Sequence, residues 1–349
     1  MSERVLVAMS GGVDSSVAAA LLRDDGCEVV GATMKLWGGP SDTGCCSVAD
    51  VDDARRVAQQ LGIDHHVFNF TADFDERVVE PYVAAHAEGR TPNPCVECNR
   101  HLKFDRFLRR ASQLGFDAIA TGHHARVVTH DRRRELRRGV DAAKDQSYVL
   151  SMLGAEQLAR CRFPVGDLTK AQVRERAAVL GLRTAAKPDS QDVCFITAAG
   201  RAEFLAQRIP LHPGRVMDGA SGRPIGSVDA VELVTIGQRR GLGGGAAEPR
   251  YAVATDPSAG TVTVGTEADL MADRVDLENL AWTADAVAPG ARVLVQCSAH
   301  APALPATYDG AGVIFDQPLR RVAPGQTVAL YDFYDGELVS GGGIAARPT

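Results

Sequence analysis

The sequence of 349 residues lacks three features, and each absence excludes a class of protein. It has no run of about 18 apolar residues, which excludes a transmembrane helix. Its N-terminus has neither a basic segment nor a long apolar segment, so we expect no secretory signal, no membrane partner and a cytoplasmic location. An excess of positive charge is also missing, because the formal net charge is −6 at pH 7. This balance argues against a broad, non-specific nucleic-acid binder, although a local basic surface could still bind a polyanion.

The composition that remains is that of an ordinary globular protein of two or three domains. Hydrophobic residues make up 45% of the chain and charged residues 23%, which is enough apolar material for a sizeable core. The sequence also has eight cysteines. In a chain with the features of a cytosolic protein, we expect cysteines to serve chemistry or metal binding rather than a disulfide framework.

The first 200 residues alternate between patterns typical of strands and of helices. Strand-like apolar runs occur at 5–9, 28–34, 65–70 and 117–121, and helical spacing of apolar residues occurs at 50–61 and 104–114. This alternation predicts an α/β domain with a parallel sheet and helices on both faces. Ligands bind such sheets at the carboxyl ends of the strands, where the turn after Met9, Met34 and the segment 121–123 are expected.

The pattern changes after about residue 200, where the segment 210–226 is rich in Gly and Pro. Short alternating apolar runs follow at 251–254, 261–264 and 292–295. These runs are typical of small, mainly β domains. We therefore predict an α/β domain over 1–200, a central β-rich domain over 201–275 and a β-barrel-like C-terminal domain over 276–349.

The segment 10–16, SGGVDSS, lies between the first strand and the first helix and is typical of an anion-binding turn. Such a turn presents free backbone N–H groups and the positive end of a helix, and its glycines allow close approach of the backbone. The segment has no Walker lysine and no GxGxxG pattern, which disfavours a P-loop kinase, a GTPase and a dinucleotide-binding domain. The alternative is a plain glycine-rich turn without a ligand.

This segment resembles the PP-loop of the ATP-pyrophosphatase superfamily, whose pattern is SGGxDSS. The resemblance implies an adenine-nucleotide α-hydrolase-like fold over 1–200. It also implies an enzyme that cleaves ATP between the α and β phosphates and adenylates a substrate oxygen, with Asp14 helping to place Mg²⁺. The ATP-binding residues that it implies are Ala8, Met9, Ser10, Gly11, Gly12, Val13, Asp14, Ser15, Met34 and Gly122.

Two cysteines, Cys98 and Cys194, stand in polar, turn-rich segments. The segment 91–99, TPNPCVECN, predicts a rigid loop that enters a helix, because proline fixes φ and Asn favours turns. A cysteine at the start of a helix gains thiolate character. Cys27, Cys161 and Cys297 lie in apolar or ordinary surroundings and are expected to pack in the core. For Cys45 and Cys46 we favour a mobile loop over a metal site.

With these segments the chain resembles, nearly from end to end, the tRNA-specific 2-thiouridylases. The matching segments are 10–16, 34–37, 91–99, 120–123, 144–148, 163–166, 190–195, 237–243, 324–326 and 341–343. The resemblance implies adenylation of the C2 oxygen of the tRNA wobble uridine, with tRNA as a partner. A persulfide on Cys194, supplied by a cysteine desulfurase or a relay protein, would then provide the sulfur. Cys98 would either free sulfide from that persulfide or form a disulfide with Cys194 as sulfur moves to the base.

The resemblance also implies tRNA-binding residues, which are Asn93, Pro94, Cys95, His123, Lys144, Asp145, Gln146 and Gln326. Two basic groups are further candidates for phosphate contacts. They are Arg132, Arg133, Arg134, Arg137 and Arg138, and Arg100, Lys103, Arg106, Arg109 and Arg110.

The chain departs from the resembling family at Cys95, where many members carry an aspartate. Cys95, Cys98 and Cys194 could instead hold a [4Fe–4S] cluster with one open iron, which is the main alternative for the sulfur step. Two other hypotheses remain open. One is a PP-loop ligase that acts on a small molecule, and the other is a non-catalytic sulfur carrier or tRNA-binding module.

Overall fold

The structure is a computed structural model that describes residues 2–37, 47–189, 193–196, 200–243 and 248–347. The expectation for Cys45 and Cys46 lies outside these residues. Within them, no helix combines the length and the apolar character that crossing a bilayer requires.

The N-terminal sheet is parallel, as the sequence predicts, and has the strand order β3-β2-β1-β4-β7. Its strands are β1 (Arg4–Ala8), β2 (Glu28–Lys35), β3 (His65–Asn69), β4 (Ala118–Ala120) and β7 (Cys161–Arg162). Strand β1 lies at the centre because its residues Val5, Leu6 and Val7 are apolar on both faces, and all three are fully buried. The strands expected at 28–34, 65–70 and 117–121 are thereby confirmed.

The helices of this domain cover both faces of the sheet. They are α1 (Val13–Asp24), α2 (Val48–Leu61), α3 (Thr71–Phe74), α4 (Glu80–Ala87), α5 (Pro94–Glu97), α6 (Phe107–Gln113), α7 (Ala155–Ala159), α8 (Lys170–Val179) and α9 (Gly200–Ala206). One apolar core joins Val5 and Val7 to α1, α2 and α8, and another joins Leu6 to the segment from α3 to α7. The helix expected at 50–61 is confirmed as α2. The helical pattern at 104–114 is confirmed too, but π-helical winding over Cys98–Arg106 precedes α6.

Two β units follow the α/β domain, which confirms the predicted fold class. The first is a four-stranded sheet of order β10-β11-β8-β9, and the second is a closed barrel of order β12-β15-β14-β13-β16-β17. Their strands are β8 (Gly214–Asp218), β9 (Pro224–Val228), β10 (Tyr251–Asp256), β11 (Thr261–Gly265), β12 (Met271–Trp282), β13 (Arg292–Gln296), β14 (Leu304–Tyr308), β15 (Gly312–Arg320), β16 (Thr327–Asp332) and β17 (Val339–Ala345), with the short helix α10 (Glu267–Leu270) before β12. The division at 275/276, which stays a prediction, falls within β12.

A basic hairpin joins the α/β domain to the barrel. It consists of β5 (Ala125–His130) and β6 (Arg133–Arg138). Arg133 pairs with Asp285 and Arg137 pairs with Asp335, and both carboxylates belong to the barrel. The sequence suggested these arginines as contacts for tRNA phosphates. In the structure, carboxylates of the same chain pair with Arg133, Arg137 and Arg138, and contact of the hairpin with tRNA stays a prediction.

Among the ion pairs of this hairpin, the pair of Arg138 with Asp145 has the most buried carboxylate. The guanidinium of Arg138 bonds to Asp145 at 2.8 Å and to Gln296 at 3.1 Å, and it lies 3.8 Å from the ring centre of Tyr331. The side chain of Asp145 is only 7% exposed. Removing Arg138 would leave the buried carboxylate of Asp145 without its cation, with only the hydrogen bonds from Gly139 and Ser147 remaining.

We therefore expect Arg138→Met to lower the free energy of unfolding by about 2–4 kcal/mol in urea titrations. Arg133→Met on the same strand is the matched control, because Arg133 and Asp285 are 66% and 82% exposed. It should change the unfolding free energy by less than about 1 kcal/mol. Equal effects of the two substitutions would contradict the argument from burial.

Candidate active site

The segment 10–16, called the phosphate loop below, links β1 to α1 and is stabilised by hydrogen bonds of its own serines. Gly12 caps the N-terminus of α1, and its carbonyl oxygen accepts hydrogen bonds from Ser15 Oγ at 3.2 Å and Ser16 Oγ at 2.8 Å. The backbone N–H of Ser10 donates to Ser15 Oγ at 3.2 Å. These hydroxyl groups therefore fix the shape of the loop. The first backbone N–H groups of α1 lie at the N-terminus of the helix, where binding of an anion is favoured.

At two positions near this loop, Gly11 and Gly122, a neighbouring backbone segment lies so close that there is no room for a side chain. Gly11 has φ +74°, and a Cβ there would lie 2.3 Å from the carbonyl oxygen of Asp50 at the start of α2. Gly122, after β4, faces α1 so closely that a Cβ would lie 2.5 Å from the backbone N of Ser15. Gly122 was predicted from the sequence as an ATP-binding residue, and the structure places it directly against the first turn of α1.

The other predicted ATP-binding residues meet at the same edge of the sheet. Ala8 and Met34 lie at the carboxyl ends of β1 and β2, and both are buried. The backbone N–H of Met9 donates to the carbonyl oxygen of Ala32 at 2.8 Å, and Thr33 Oγ1 donates to the carbonyl oxygen of Met9 at 2.7 Å. The structure thus brings together the residues 8–15, Met34 and Gly122, and their contact with ATP stays a prediction.

The carboxylate of Asp14 contacts two side chains from distant parts of the sequence, Lys170 and His124. Lys170 Nζ lies 2.8 Å and 2.7 Å from the two carboxylate oxygens, and His124 Nε2 lies 3.1 Å from Oδ1. Burial by itself would raise the pKa of Asp14, but the bonds from His124 and Lys170 outweigh it and hold the pKa below its usual value. Asp14 is therefore ionised at neutral pH, as a Mg²⁺ ligand must be. Its single carboxylate fits the way Mg²⁺ binds through one or two carboxylates and substrate phosphates.

A second lysine, Lys187, holds the other side of the loop. Its Nζ donates to the carbonyl oxygen of Gly11 at 3.0 Å, to Asp50 at 2.7 Å and to Asp53 at 2.8 Å. Burial lowers the pKa of Lys187, but the two carboxylates outweigh burial and raise it. Lys187 is therefore charged and fixes the phosphate loop to α2.

Asp189, two residues after Lys187, forms ion pairs with three cationic side chains. Its carboxylate lies 2.9 Å from Lys144 Nζ, 2.9 Å from Lys170 Nζ and 2.7 Å from Arg174 Nη2. Burial raises the pKa of Asp189, but the two lysines outweigh burial and bring it to about 2. The segment that leads to Cys194 is thus bonded to the phosphate loop through Lys187 and to Asp14 through Lys170.

Sequence reasoning missed Lys170 and Lys187. A weak signal was present at Lys170, because Thr169 and Gln172 have the spacing of a capping box and so mark the start of α8. For Lys187 the only signal was its position shortly before Cys194. Neither signal indicates which carboxylate the lysine contacts.

The loop 91–99 enters a helix, as predicted. Asn93 Oδ1 accepts a hydrogen bond from the backbone N–H of Cys95 at 3.1 Å, and Pro94 is the first residue of α5. Cys95 is exposed, Cys98 is buried and Cys194 is partly buried. Cys98 belongs to the core beneath the sheet, and Cys194 packs against the same core. The structure thus brings both predicted catalytic cysteines to one apolar cluster.

The remaining described cysteines have the core positions expected from the sequence. Cys161 is fully buried in β7, and burial raises its pKa to about 12. Cys27 and Cys297 are partly buried and pack against apolar cores. These thiols lie in structural rather than reactive surroundings.

The three-cysteine cluster hypothesis does not fit the arrangement of the donors. Among the described residues, which include Cys95, Cys98 and Cys194, no three His, Cys, Asp or Glu side chains gather as a metal site requires. We therefore derive no step through an iron–sulfur cluster.

Several predicted tRNA-binding residues make internal contacts. His123 is buried, its Nδ1 lies 2.6 Å from Thr121 Oγ1, and burial lowers its pKa well below the usual value, so the ring is neutral. Asp145 accepts bonds from Arg138 and Ser147, and Gln146 Oε1 accepts one from the backbone N–H of His124 at 2.9 Å. These residues shape the loops around the phosphate site, and their contact with tRNA stays a prediction.

The barrel supports the cysteine loop directly. The backbone N–H of Thr91 donates to the carbonyl oxygen of Pro324 at 2.7 Å, and Gln326 Nε2 donates to the carbonyl oxygen of Thr91. The turn 324–326 therefore fixes the start of the loop that carries Cys95 and Cys98. Gln326 was predicted to contact tRNA, and the structure shows it bonded to this loop.

A parallel sheet with a lysine-free phosphate loop, followed by a β sheet and a closed barrel, defines a class of multidomain α/β proteins. Family models match the chain in three consecutive parts. They are the tRNA methyl transferase HUP domain over 3–198, the tRNA methyl transferase PRC-barrel domain over 202–266 and the aminomethyltransferase β-barrel domain over 273–345.

Curated relatives match over almost the whole length. The tRNA-specific 2-thiouridylase MnmA of Chloroflexus aggregans is 47% identical, over 99% of this chain and 98% of that protein. Those of Rhodococcus jostii and Saccharopolyspora erythraea are 45% and 44% identical, over 99% and 98% of this chain and 99% of each relative. The chain therefore belongs to the family of tRNA-specific 2-thiouridylases.

Two matches among solved structures cover part of the chain. One is a complex of a 4-thiouridine synthetase with RNA and bound ATP, with a TM-score of 0.35 and 19% identity over 60% of this chain and 50% of that chain. Another is the NMN synthetase of Francisella tularensis, with a TM-score of 0.33 and 17% identity over 54% of this chain and 66% of that chain.

Proposed function

We propose that this tRNA sulfurtransferase converts the wobble uridine of tRNA to 2-thiouridine and consumes ATP. One structural observation supports the proposal beyond family membership. The segment before Cys194 contacts the phosphate loop at two points: Lys187 donates a hydrogen bond to the carbonyl oxygen of Gly11, and Asp189 pairs with Lys170, which also pairs with Asp14. A site that activates an oxygen with ATP is therefore joined to a cysteine that can deliver sulfur.

The first step is adenylation. The C2 oxygen of the uridine attacks the α phosphorus of ATP, and the bond to the β-phosphate oxygen breaks, which releases pyrophosphate. The N-terminus of α1 and the N–H groups of the phosphate loop stabilise the negative charge on the phosphates. Mg²⁺ bound by Asp14 would spread the charge of the leaving pyrophosphate.

The second step is sulfur transfer. AMP is a far better leaving group than the original carbonyl oxygen, so a sulfur nucleophile can add at C2 and expel it. In one route the terminal sulfur of a Cys194 persulfide attacks C2. The Cys98 thiolate attacks Sγ of Cys194, so the bond between Sγ and the terminal sulfur breaks and a Cys98–Cys194 bond forms. The products are 2-thiouridine, AMP and a Cys98–Cys194 disulfide, which a thiol reductant reopens.

In the other route Cys98 attacks the persulfide first. The disulfide then forms before the transfer, and the hydrosulfide that is released attacks the adenylated C2. Both routes need two cysteines and a sulfur donor of the persulfide class, either a cysteine desulfurase or a relay protein.

The test uses the purified full-length protein with a tRNA that carries an unmodified wobble uridine. We expect ATP–pyrophosphate exchange that depends on this tRNA, and 2-thiouridine in the nucleoside mass spectrum when a persulfide donor is added. The same tRNA with cytidine at the wobble position is the control and should remain unthiolated. Exchange driven by a small carboxylate instead of tRNA would contradict the proposal and favour a PP-loop ligase.

A further inference from the structure

Cys95 and Cys98 lie three residues apart in the first turn of a helical segment. This segment runs without a break from Pro94 to Gln113. The backbone N–H of Cys98 donates to the carbonyl oxygen of Cys95 as well as to that of Pro94. A hydrogen bond between residues i and i+3 tightens the turn and places their side chains one above the other. The two thiols are therefore neighbours on one face of this turn.

The two neighbouring thiols differ in their access to solvent. Cys95 is exposed, whereas Cys98 is only 8% exposed. Val96, which lies between them in the sequence, is fully buried in a cluster with Met152 and Ile344 and anchors the inner side of the turn. The turn thus holds one thiol at the surface and the other against the core.

Each turnover of the proposed reaction ends with a disulfide that is difficult to reach from solution. Both routes of sulfur transfer leave a Cys98–Cys194 bond, and this bond must be reduced before Cys194 can receive sulfur again. Cys98 is buried, and Cys194 is partly buried against the same core. Because the rate of thiol–disulfide exchange depends on access to the sulfur that is attacked, a reductant from solution would open this bond slowly.

We propose that Cys95 is a resolving thiol, which opens the Cys98–Cys194 disulfide and transfers the oxidation to the surface of the protein. This inference rests on the proposed function and extends it. The Cys95 thiolate attacks Sγ of Cys98, a Cys95–Cys98 bond forms, and Cys194 leaves as a thiolate. The attack is intramolecular and occurs between neighbouring side chains, which gives it a high effective concentration. Cys194 is then ready to receive sulfur.

The Cys95–Cys98 disulfide is then reduced from solution by a dithiol. One thiolate of the dithiol attacks Sγ of Cys95, and Cys98 leaves as a thiolate. The second thiolate of the dithiol attacks its own sulfur in the mixed disulfide, and Cys95 leaves in turn. The dithiol loses two electrons and becomes a disulfide, while both cysteines return to the reduced state. This reduction requires access to Cys95 alone, and Cys95 is exposed.

The experiment locates the disulfide after one turnover of the full-length protein. The reduced protein, separated from its reductant, receives tRNA, ATP and one equivalent of a persulfide donor, and is then quenched with acid and alkylated. Cys95 and Cys98 lie on one tryptic peptide, 91–100, and Cys194 lies on another. We expect a disulfide within peptide 91–100 in the unsubstituted protein, and a cross-link between the two peptides in Cys95→Ser. A cross-link to Cys194 that persists in the unsubstituted protein would overturn the inference.

The rate of repeated turnover provides a second measurement, with dithiothreitol as the only reductant. We expect Cys95→Ser to lower the ratio of the steady-state rate to the first-turnover rate by about tenfold or more, because dithiothreitol must then attack the less accessible bond. This ratio cancels a loss of tRNA binding, which would slow both rates. Cys27→Ala, which changes a partly buried thiol in another core, is the control and should leave the ratio unchanged. An unchanged ratio in Cys95→Ser would contradict the resolving role.

Failure of the proposed function can be recognised separately. If the unsubstituted protein forms no 2-thiouridine, the proposed function is refuted. Oxidation of the reduced protein with one equivalent of diamide, followed by the same peptide analysis, then decides the inference. A disulfide within peptide 91–100 would support the pairing of Cys95 with Cys98, and a cross-link to Cys194 would overturn it.

Discussion

Replacement of Cys194 by alanine should abolish 2-thiouridine formation, and so should replacement of Cys98. We expect each variant to lose a factor of about 10³ or more in the thiolation rate. Cys194 carries the transferred sulfur as a persulfide, and Cys98 forms the disulfide with Cys194 that releases this sulfur. Adenylation requires the phosphate loop but neither thiol. ATP–pyrophosphate exchange in the presence of tRNA should therefore stay within about threefold of the unsubstituted protein. Nucleoside mass spectrometry and exchange assays measure the two steps separately.

A cysteine outside the site provides the control for this experiment. Cys27→Ala changes a partly buried thiol that packs against the core around α1 and α2, and it should leave both assays unchanged. Cys98 is itself buried, so a thermal melt of Cys98→Ala must show that the variant folds. Thiolation that persists in either Cys98→Ala or Cys194→Ala would exclude both routes proposed for sulfur transfer.

Substitution of Gly122 by alanine should disable the phosphate site without removing a charged group. The new methyl would lie 2.5 Å from the backbone N of Ser15 and 2.6 Å from the carbonyl carbon of Asp14, which is closer than real contacts allow. The first turn of α1 must then move, and its N–H groups lose their alignment. We expect ATP affinity to fall by about tenfold or more, since that turn carries N–H groups that we propose as donors to the phosphates.

Gly154→Ala is the matched control, because a Cβ at Gly154 would meet only Gln157 Oε1 at 3.8 Å, an ordinary contact. Both substitutions add one methyl group to a glycine that lies outside the helices and strands. Gly154→Ala should leave ATP affinity unchanged and alter stability by no more than about 1 kcal/mol. An unchanged ATP affinity in Gly122→Ala would show that the edge of the sheet at β4 does not position α1.

Much of the fold was predictable because its signals are local. The apolar runs of β1 and β2 and the helical spacing of α2 follow from periodicity within a few residues. The turn that begins α5 follows from Asn93 and Pro94, whose preferences act on the neighbouring backbone. The π-helical winding over Cys98–Arg106 was not predictable, because its apolar spacing differs too little from that of an α-helix.

The arginines of the β5–β6 hairpin show the limit of reading charge from sequence. A run of like charges is compatible with a nucleic-acid surface and with an interface between domains. The choice depends on carboxylates far along the chain, such as Asp285 and Asp335, that only folding brings into contact. Here Arg133 and Arg137 contact the barrel, and their contact with tRNA stays a prediction.

The sequence by itself determined the chemistry: a lysine-free phosphate loop at 10–16 and two cysteines, Cys98 and Cys194, in turn-rich segments. These features are determined by residues adjacent in the chain. Only the tertiary structure decided how the two halves of the reaction are joined. Lys170 lies 156 positions from Asp14 in the sequence, yet it contacts Asp14 and Asp189 together. Ion pairs of this kind depend on where helices and strands pack, which no local pattern records.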